Sequence, residues 1–339
     1  WGMDGRGAIM LVDNDRDGAS TNTLDEREPL VVRRLGPTVL PAGVQLRLRT
    51  SPDAATKFSI STVGADGRAT KLLGRTKYES INDTVWASGP LPIEETTYRV
   101  VANEYPGPFF EGLLLIALEL VDVRDGQEHI FATDRVMMRV APWVMTPNTL
   151  PVEHVYTCKT AGDYPNDEFL AGLKAALGED GPPLTIIPPF EHRGDRWIQD
   201  EIEFGYSRSH RGTLPVVFDS PRDGSLDDYP EFALLGPDFG HFQIGGGVPN
   251  SLDSFGNLEV SPPVVVQGRS YPLGRIVVGG REEGDFRRSS RQMMAEVRQF
   301  LNAQKVQFPF EIDTDWLNVG HVDEVLSFVP APDSKGFKV

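Results

Sequence analysis

Two short segments carry residue types that could do chemistry together. One is Asp315-Trp-Leu-Asn-Val-Gly-His-Val-Asp-Glu-Val-Leu-Ser-Phe-Val-Pro330, where a polar His-x-Asp-Glu core interrupts apolar, strand-like sequence. On an extended strand side chains alternate faces, so His321 and Asp323 are expected side by side as an acid/base and cation-binding pair. The bland alternative is an ion pair satisfied within a core. The other segment, Asp195–Tyr206, packs Trp197, Gln199, Asp200, Glu201 and Glu203 close together. If it is extended, Gln199, Glu201 and Glu203 share one face, and their crowded oxygens suit a hard cation such as Ca2+. Asp200 then lies on the opposite face. Two carboxylates (Asp200 and Asp323), the imidazole of His321 and the indole of Trp197 would cage a guanidinium well. That group is planar, permanently charged and rich in donors, so it wants carboxylates at its edges and an aromatic ring on its face.

A third signal stands near the start. Asp13-Asn-Asp-Arg-Asp-Gly18 has the D-x-D-x-D-G spacing of calcium loops, with Asp13, Asp15 and Asp17 as ligands. Leu24 stands where an EF-hand would carry its closing glutamate, so this is not an EF-hand; Asp25 is a weaker candidate ligand.

The elements that must position these residues fall into two parts. At 339 residues the chain is long enough for about two domains. Residues 1–143 read as an antiparallel β-sandwich. Val44, Leu46 and Leu48 alternate with polar neighbours, as do Tyr98, Val100 and Ala102, and again Val136, Met138 and Val140. The proline-punctuated stretch Pro142–Pro151 marks a boundary, with a mixed α/β domain over 144–339. There, spacing predicts helices over 166–177 and 290–306, the second burying Met293, Val297, Phe300 and Leu301. Strands are predicted at 184–188, 215–218, 264–266 and 275–278.

Composition excludes some function classes. The chain carries 49 acidic against 33 basic residues, net −16, which argues against nucleic-acid and anionic-membrane partners and suits calcium and cationic substrates. A merely solvated acidic surface would account for the charge equally well. Cys158 is the one cysteine, so no intrachain disulfide forms and a reducing, cytoplasmic setting is expected. The longest apolar run, Gly112–Leu118, stops at Glu119 and is too short to span a bilayer.

With these residues in view, the chain resembles the peptidylarginine deiminase family. The resemblance rests on Arg196-Trp-Ile-Gln-Asp-Glu201, Pro215-Val-Val-Phe-Asp-Ser-Pro-Arg222, Gly236-Pro-Asp-Phe-Gly240 and Leu252-Asp-Ser-Phe-Gly-Asn-Leu-Glu-Val-Ser-Pro-Pro263. Tyr271-Pro-Leu-Gly-Arg-Ile276 and Val319-Gly-His-Val-Asp-Glu324 continue it in order. Weaker matches reach back through Val140–Asn148 to Ala8–Val12.

The resemblance implies an immunoglobulin-like β-sandwich over 1–143 and the first part of a pentein-type α/β propeller over 144–339. It implies that Asp200 and Asp323 grip a substrate guanidinium, that His321 is the general acid/base, and that Trp197 packs along the substrate. It further implies calcium-dependent conversion of protein arginine to citrulline through a covalent cysteine intermediate. One calcium cluster would use Gln199, Glu203 and Glu259 with carbonyls of Phe255 and Leu258. A second would use Glu201, Asp219 and Asp223 with the carbonyl of Ser220. The Asp13–Asp17 loop would bind calcium with Asp238 nearby. Glu259 has a bland reading as a solvated turn carboxylate. Gly224 stands where many members carry a substrate-reading arginine, a role Arg222 would share, and Asp223 replaces an asparagine.

The implied nucleophile has no counterpart here. Family members carry it near the end of a longer catalytic domain, whereas Cys158 lies near the domain boundary and reads as a buried packing residue. The chain also begins at Trp1 without a methionine. These 339 residues are therefore expected to be a fragment, inactive alone, whose partners are arginine-containing proteins or peptides, with a homodimer allowed. Two other readings stand beside this one. The first is a calcium-binding interaction protein with a catalytically dead pentein remnant. The second is another guanidine-modifying pentein, such as an agmatine deiminase or amidinotransferase, which the sandwich and double calcium cluster disfavour.

Overall fold

Alternation of apolar and polar residues becomes sheet through most of the N-terminal part. The computed structural model describes residues 8–16, 28–33, 39–64, 68–124, 126–222, 224–281 and 291–339. Asp17, Asp25, Asp223 and Ser290 lie outside the described residues. The chain divides into two units: Trp1–Trp143 with Ser207–Leu214 and Gly236–Gly240, and the remainder from Val144 to Val339.

The first unit contains β1 (Ala8–Met10), β2 (Glu28–Val32), β3 (Val44–Arg49), the single-turn α1 (Pro52–Ala55), β4 (Phe58–Val63), β5 (Ala69–Gly74), β6 (Thr96–Ala102), β7 (Leu113–Arg124) and β8 (Gln127–Val140). They form two four-stranded sheets, ordered β1-β8-β7-β3 and β2-β6-β4-β5. In β3, Leu46 and Leu48 are buried while Arg47 and Arg49 lie on the other face, as a period of two requires. Arg49 there reaches across the strands to Glu119 (2.7 Å) and Glu128 (2.9 Å). Tyr98, Val100 and Ala102 are buried from β6, facing Phe58 and Ile60 of the same sheet. Gly74 ends β5 at φ +83°, where a Cβ would lie 2.0 Å from the Phe58 carbonyl oxygen. Only glycine lets the two backbones approach that closely.

From Val144 onward the chain is mixed. It adds β9 (Val144–Met145), β10 (Val155–Cys158), α2 (Asp167–Leu177), β11 (Leu184–Ile187), α3 (Pro189–His192), α4 (Ile198–Glu201), β12 (Ile202–Arg208), β13 (Thr213–Asp219), β14 (Gly240–Gln243), β15 (Leu258–Val260), β16 (Val264–Val266), β17 (Arg269–Tyr271), β18 (Ile276–Gly280), α5 (Ala295–Ala303) and β19 (Phe310–Asp313). Its sheets are small: β10-β11, β14-β13-β12-β9, β15-β18-β19, the hairpin β16-β17 and an antiparallel pairing of Val329–Pro330 with Phe337–Lys338. The chain is thus mostly strand with few helices, and no sheet closes on itself among the described residues.

The helix expected over 166–177 forms after Asn166, but that side chain does not cap it. Asn166 accepts from Thr160 N–H (2.9 Å) and donates to the Cys158 carbonyl (2.9 Å), pinning the preceding loop instead. The helix expected over 290–306 is shorter, Ala295–Ala303. Met293 and Met294 are buried yet precede it, because Met294 has extended backbone (ψ 136°). Val297, Phe300 and Leu301 form its buried face.

Two local expectations are corrected. The 195–206 segment is not extended throughout. Ile198–Glu201 makes one helical turn before β12 begins. Successive residues of a helix point about 100° apart, so Gln199, Asp200 and Glu201 diverge rather than alternate. His321 and Asp323 do not sit on a strand either. Val322–Glu324 is a 3-10 turn with His321 as its first flanking residue, and Glu324 accepts from the N–H groups of Gly320 and His321, both at 3.0 Å. A carboxylate placed to cap its own turn outweighs the strand propensity of the surrounding valines.

Candidate active site and cation clusters

Both turns aim their polar side chains at one glycine. Gly256 lies in the 3-10 turn Phe255–Asn257, just before β15. A Cβ built on it would meet His321 Nδ1 at 2.7 Å, Asp200 Oδ1 at 2.9 Å and Asp323 Oδ2 at 2.9 Å. The three side chains expected to act together therefore converge over a hydrogen atom. His321 Nδ1 lies 3.3 Å from Asp200 Oδ1, and its Nε2 is 2.6 Å from the Ser251 carbonyl oxygen. A carbonyl only accepts, so Nε2 carries a proton there and Nδ1 faces the carboxylates. Asp323 is exposed as a residue, yet its carboxyl stands above the usual range. Partial desolvation is the main cause; the nearby imidazole of His321 opposes it and Asp200 adds to it.

Backbone scaffolding holds this arrangement. Asn257 is fully buried and spends its whole side chain on the main chain. It donates to the carbonyls of Leu252 (2.9 Å) and Gly279 (3.0 Å), and accepts from the N–H of Gly279 (2.7 Å) and Val322 (3.1 Å). Arg291 grips the other approach. It contacts Asp315 Oδ1 (2.8 Å), Ser251 Oγ (3.1 Å) and the carbonyls of Leu317 (2.9 Å) and Val319 (3.0 Å).

Trp197 is 55% exposed beside α4, with the Arg196 guanidinium over its ring at 4.8 Å. Trp197 immediately precedes the turn that carries Asp200. Arg222, the other residue expected at the substrate, makes contacts within the chain. Its guanidinium is held by Asp195 (2.5 Å), Glu201 (3.3 Å) and the Trp197 carbonyl (3.2 Å). Gly224 packs against that pair, since a Cβ there would lie 2.3 Å from Asp195 Oδ2.

The carboxylates sort into clusters. Gln199 Nε2 is 3.5 Å from Glu203 Oε2, and Glu203 is pushed well above the usual carboxylate range by burial first and by repulsion from Glu259 second. Glu259 is buried in β15, which sets aside its reading as a solvated turn residue. Asn148 donates to both its oxygens, at 3.2 and 3.0 Å. Phe255 and Leu258 are buried beside it. In the second cluster Glu201 and Asp219 are wholly buried, and Glu201 Oε1 and Asp219 Oδ1 have no hydrogen-bond partner. Burial, offset in part by Arg222, pushes Glu201 up to about 8, with Asp219 among the repelling neighbours. Asp219 is pushed up to about 6 by burial, against the pull of His241. Arg222 and His241 compensate these buried carboxylates only in part, and a divalent cation would supply the remaining counter-charge. The Ser220 carbonyl accepts from Gln243 Nε2 at 3.1 Å.

In the first unit, Asp15 Oδ2 accepts from the Asp238 N–H at 3.1 Å, and Asp238 takes the left-handed conformation (φ +60°). Asp13 sits beside them, its carbonyl accepting from Lys77 Nζ at 3.2 Å. Buried Asn14 Oδ1 and Asp238 Oδ1 are both without a hydrogen-bond partner, and oxygens of this kind are the donors a hard cation takes.

Sequence reading missed Gly256, Asn257, Ser251, Arg291, Glu231 and His241. Gly256 and Asn257 lie in a block already singled out, and a Gly-Asn pair within apolar sequence is the signal that marks a buried polar turn.

The chain belongs to the protein-arginine deiminase family. The family model Protein-arginine deiminase (PAD) matches residues 130–339, and Protein-arginine deiminase (PAD) middle domain matches residues 1–122. Protein-arginine deiminase type-3 of Homo sapiens is 41% identical over 362 aligned residues, covering 100% of this chain and 52% of that protein. Type-1 and type-4 of Homo sapiens are 39% and 40% identical, each covering 100% of this chain and 53% of the relative. The chain spans about half the length of the curated relatives it matches. Among the described residues no helix is long and apolar enough to cross a membrane.

Proposed function

We propose that the protein deiminates arginine in protein substrates to citrulline, releasing ammonia, and that it does so only with calcium bound. The observation that carries the reading is the meeting of Asp200, His321 and Asp323 over Gly256. Two carboxylates on one side of an imidazole are the donor-matched cage for a guanidinium. In this reading Asp200 and Asp323 hold the substrate's N–H edges, and the Trp197 indole lies along its aliphatic stem. A cysteine thiolate attacks the guanidinium carbon and His321 Nδ1, facing the carboxylates, donates the proton with which ammonia leaves. Water then releases citrulline from the S-alkylthiouronium, with His321 as base. Cys158 does not suit the nucleophile's role. It packs with Ile187 and Leu226, and burial pushes its thiol up to about 11. The proposal assigns the nucleophile to a cysteine outside these 339 residues, so this segment alone would not turn over substrate.

Calcium belongs to the same proposal. Gln199, Glu203 and Glu259 would hold one ion, and Glu201 and Asp219, with Asp223 and the Ser220 carbonyl, a second. Asp13, Asp15, Asp17 and Asp238 would serve an N-terminal site. The buried, unpartnered oxygens of Glu201, Asp219 and Asp238 fit that requirement. Bound calcium supplies the counter-charge that lets these carboxylates ionise together. Because α4 carries Asp200 between Gln199 and Glu201, settling those neighbours also settles Asp200. We assign the first unit to an immunoglobulin-like sandwich and the second to part of a pentein propeller, in a cytoplasmic enzyme able to pair as a homodimer.

The test is citrulline release from a blocked arginine peptide by the full-length protein, with calcium and with chelator. Calcium-dependent release that is lost in Asp323→Asn supports the reading. Calcium binding without turnover would replace it with an inactive calcium-binding interaction protein.

A further inference from the structure

The second cluster contains a histidine that an all-oxygen calcium site does not need. His241 lies on β14, beside the end of β13 where Asp219 stands, and Glu231 comes from the turn Pro230–Leu234. His241 Nε2 is 3.1 Å from Asp219 Oδ2 and 3.5 Å from Glu231 Oε1. One donor atom from each of the three residues lies within 4.8 Å of the others. Asp219 is wholly buried, and its second oxygen, Oδ1, has no hydrogen-bond partner. We propose that Asp219, Glu231 and His241 form a site for a borderline-soft divalent transition ion, Zn2+ foremost, which shares Asp219 with the neighbouring calcium cluster.

Donor chemistry separates the two ions. Calcium takes oxygen ligands at about 2.3–2.6 Å, whereas zinc accepts imidazole nitrogen and carboxylate oxygen at about 2.0–2.2 Å. A tetrahedral ion with bonds of about 2.0–2.1 Å sets its ligand atoms roughly 3.3–3.4 Å apart. The 3.1 and 3.5 Å separations around His241 Nε2 bracket that edge. Three protein ligands would leave a fourth position to water or to another ligand.

The competing account is a protonated His241 paired with two carboxylates, needing no metal. Charge counts against it. Asp219 feels repulsion from Glu231 and Asp227 besides its burial, and Asp219 in turn repels buried Glu201. Nε2 carries one proton and faces two carboxylates, whereas a dication at the meeting point of the three side chains engages both.

Sharing Asp219 has a regulatory consequence. An ion held by His241 draws the Asp219 carboxylate away from calcium, so each ion weakens the other, and by thermodynamic necessity by the same factor. Zinc would then antagonise calcium at the cluster next to Asp200. Only this antagonism rests on the calcium reading; the triad itself does not.

The test uses Co2+ as a visible stand-in for Zn2+, on tag-free protein freed of metal by chelator. One Co2+ with ligand-field bands, displaced by Zn2+, is expected. His241→Gln and Glu231→Gln should each weaken it at least about 100-fold, more than loss of an outer-shell partner costs. Glu201→Gln lies outside the triad and should keep the Co2+ bands while weakening calcium binding. Bands unchanged in His241→Gln, or no binding at all, would overturn the site. Should the variants fail to fold, X-ray absorption of the zinc-loaded parent protein decides, since a coordination shell without imidazole rejects the triad. Absence of calcium binding to the unsubstituted protein, with Co2+ binding intact, would remove the calcium reading and leave this site standing.

Discussion

His321 presents Nδ1 to Asp200 Oδ1 at 3.3 Å while its Nε2 is anchored 2.6 Å from the Ser251 carbonyl. One nitrogen is spent on orientation and the other is left toward the carboxylates, which is the division of labour an acid/base histidine needs. The ring is therefore sensitive to anything that shifts the Phe255–Asn257 turn beneath it.

Gly256→Ala tests that sensitivity directly. The new methyl would lie within 3 Å of Asp200, His321 and Asp323 at once, and the imidazole ring cannot bend away as a long side chain would. In the full-length protein kcat/KM for an arginine peptide should fall at least about 100-fold, the cost of displacing reacting groups by about 1 Å. The melting temperature should move far less than activity does. Retained kcat/KM would show that the three side chains do not act at this point.

Arg291 makes a prediction about stability. It pairs with Asp315, whose side chain is 4% exposed, and it also ties down the carbonyls of Leu317 and Val319 ahead of His321. Arg291→Ala strands a buried carboxylate, a loss of roughly 3–5 kcal/mol. Arg291→Lys keeps the charge but not the fork of donors, and should recover only part of it. Urea unfolding of the three proteins gives the comparison, and equal midpoints would show that the clamp contributes nothing.

Much of this was legible in the sequence, and what was not has physical causes. Period-two alternation in β3 and β6 identifies strands because the same residues must face a core. The identities of Asp200, His321 and Asp323 are visible as residue types, but their local structure was misread. Valines around His321 favour a strand, and a pattern of side chains does not register that Glu324 closes a turn on two backbone N–H groups. Likewise Gln199 and Glu203 come together through a helical turn entering β12, where strand alternation would have grouped them with Glu201. His241 and Glu231 were invisible for a different reason. They are ten residues apart on separate elements, and nothing local marks either as facing Asp219.

Cys158 should be chemically quiet. It is 4% exposed, and burial with the nearby Asp195 charge pushes its thiol up to about 11. At about pH 8 roughly one molecule in a thousand carries the thiolate, so alkylation by iodoacetamide should be slow and should accelerate about tenfold per pH unit. Denaturant should abolish the difference from a free thiol. Fast modification of the native protein near neutral pH would mean that Cys158 is exposed or activated.

The buried carboxylates give the protein a pH dependence whose sign follows from their direction of shift. Glu201 titrates at about 8 in the folded chain against an ordinary 4.5, and Asp219 at about 6 against 3.8. Between those values the folded protein, freed of metal, holds protons that the unfolded chain has released. Its stability is therefore greatest below about pH 4.5 as far as these groups are concerned, and falls as pH rises, with the loss complete above about pH 8. The total should be on the order of a few kcal/mol, since each group costs up to about 1.4 kcal/mol per pH unit within its window. The proposed calcium site needs both groups ionised, so calcium binding there should tighten over the same range and cancel the loss. Urea midpoints in chelator should accordingly drop between about pH 5 and about pH 8, and calcium should raise the midpoint more at the higher pH. A midpoint that rises with pH in chelator, or a calcium effect that is largest in acid, would contradict the assignment of Glu201 and Asp219 as partly compensated buried carboxylates that bind the proposed cation.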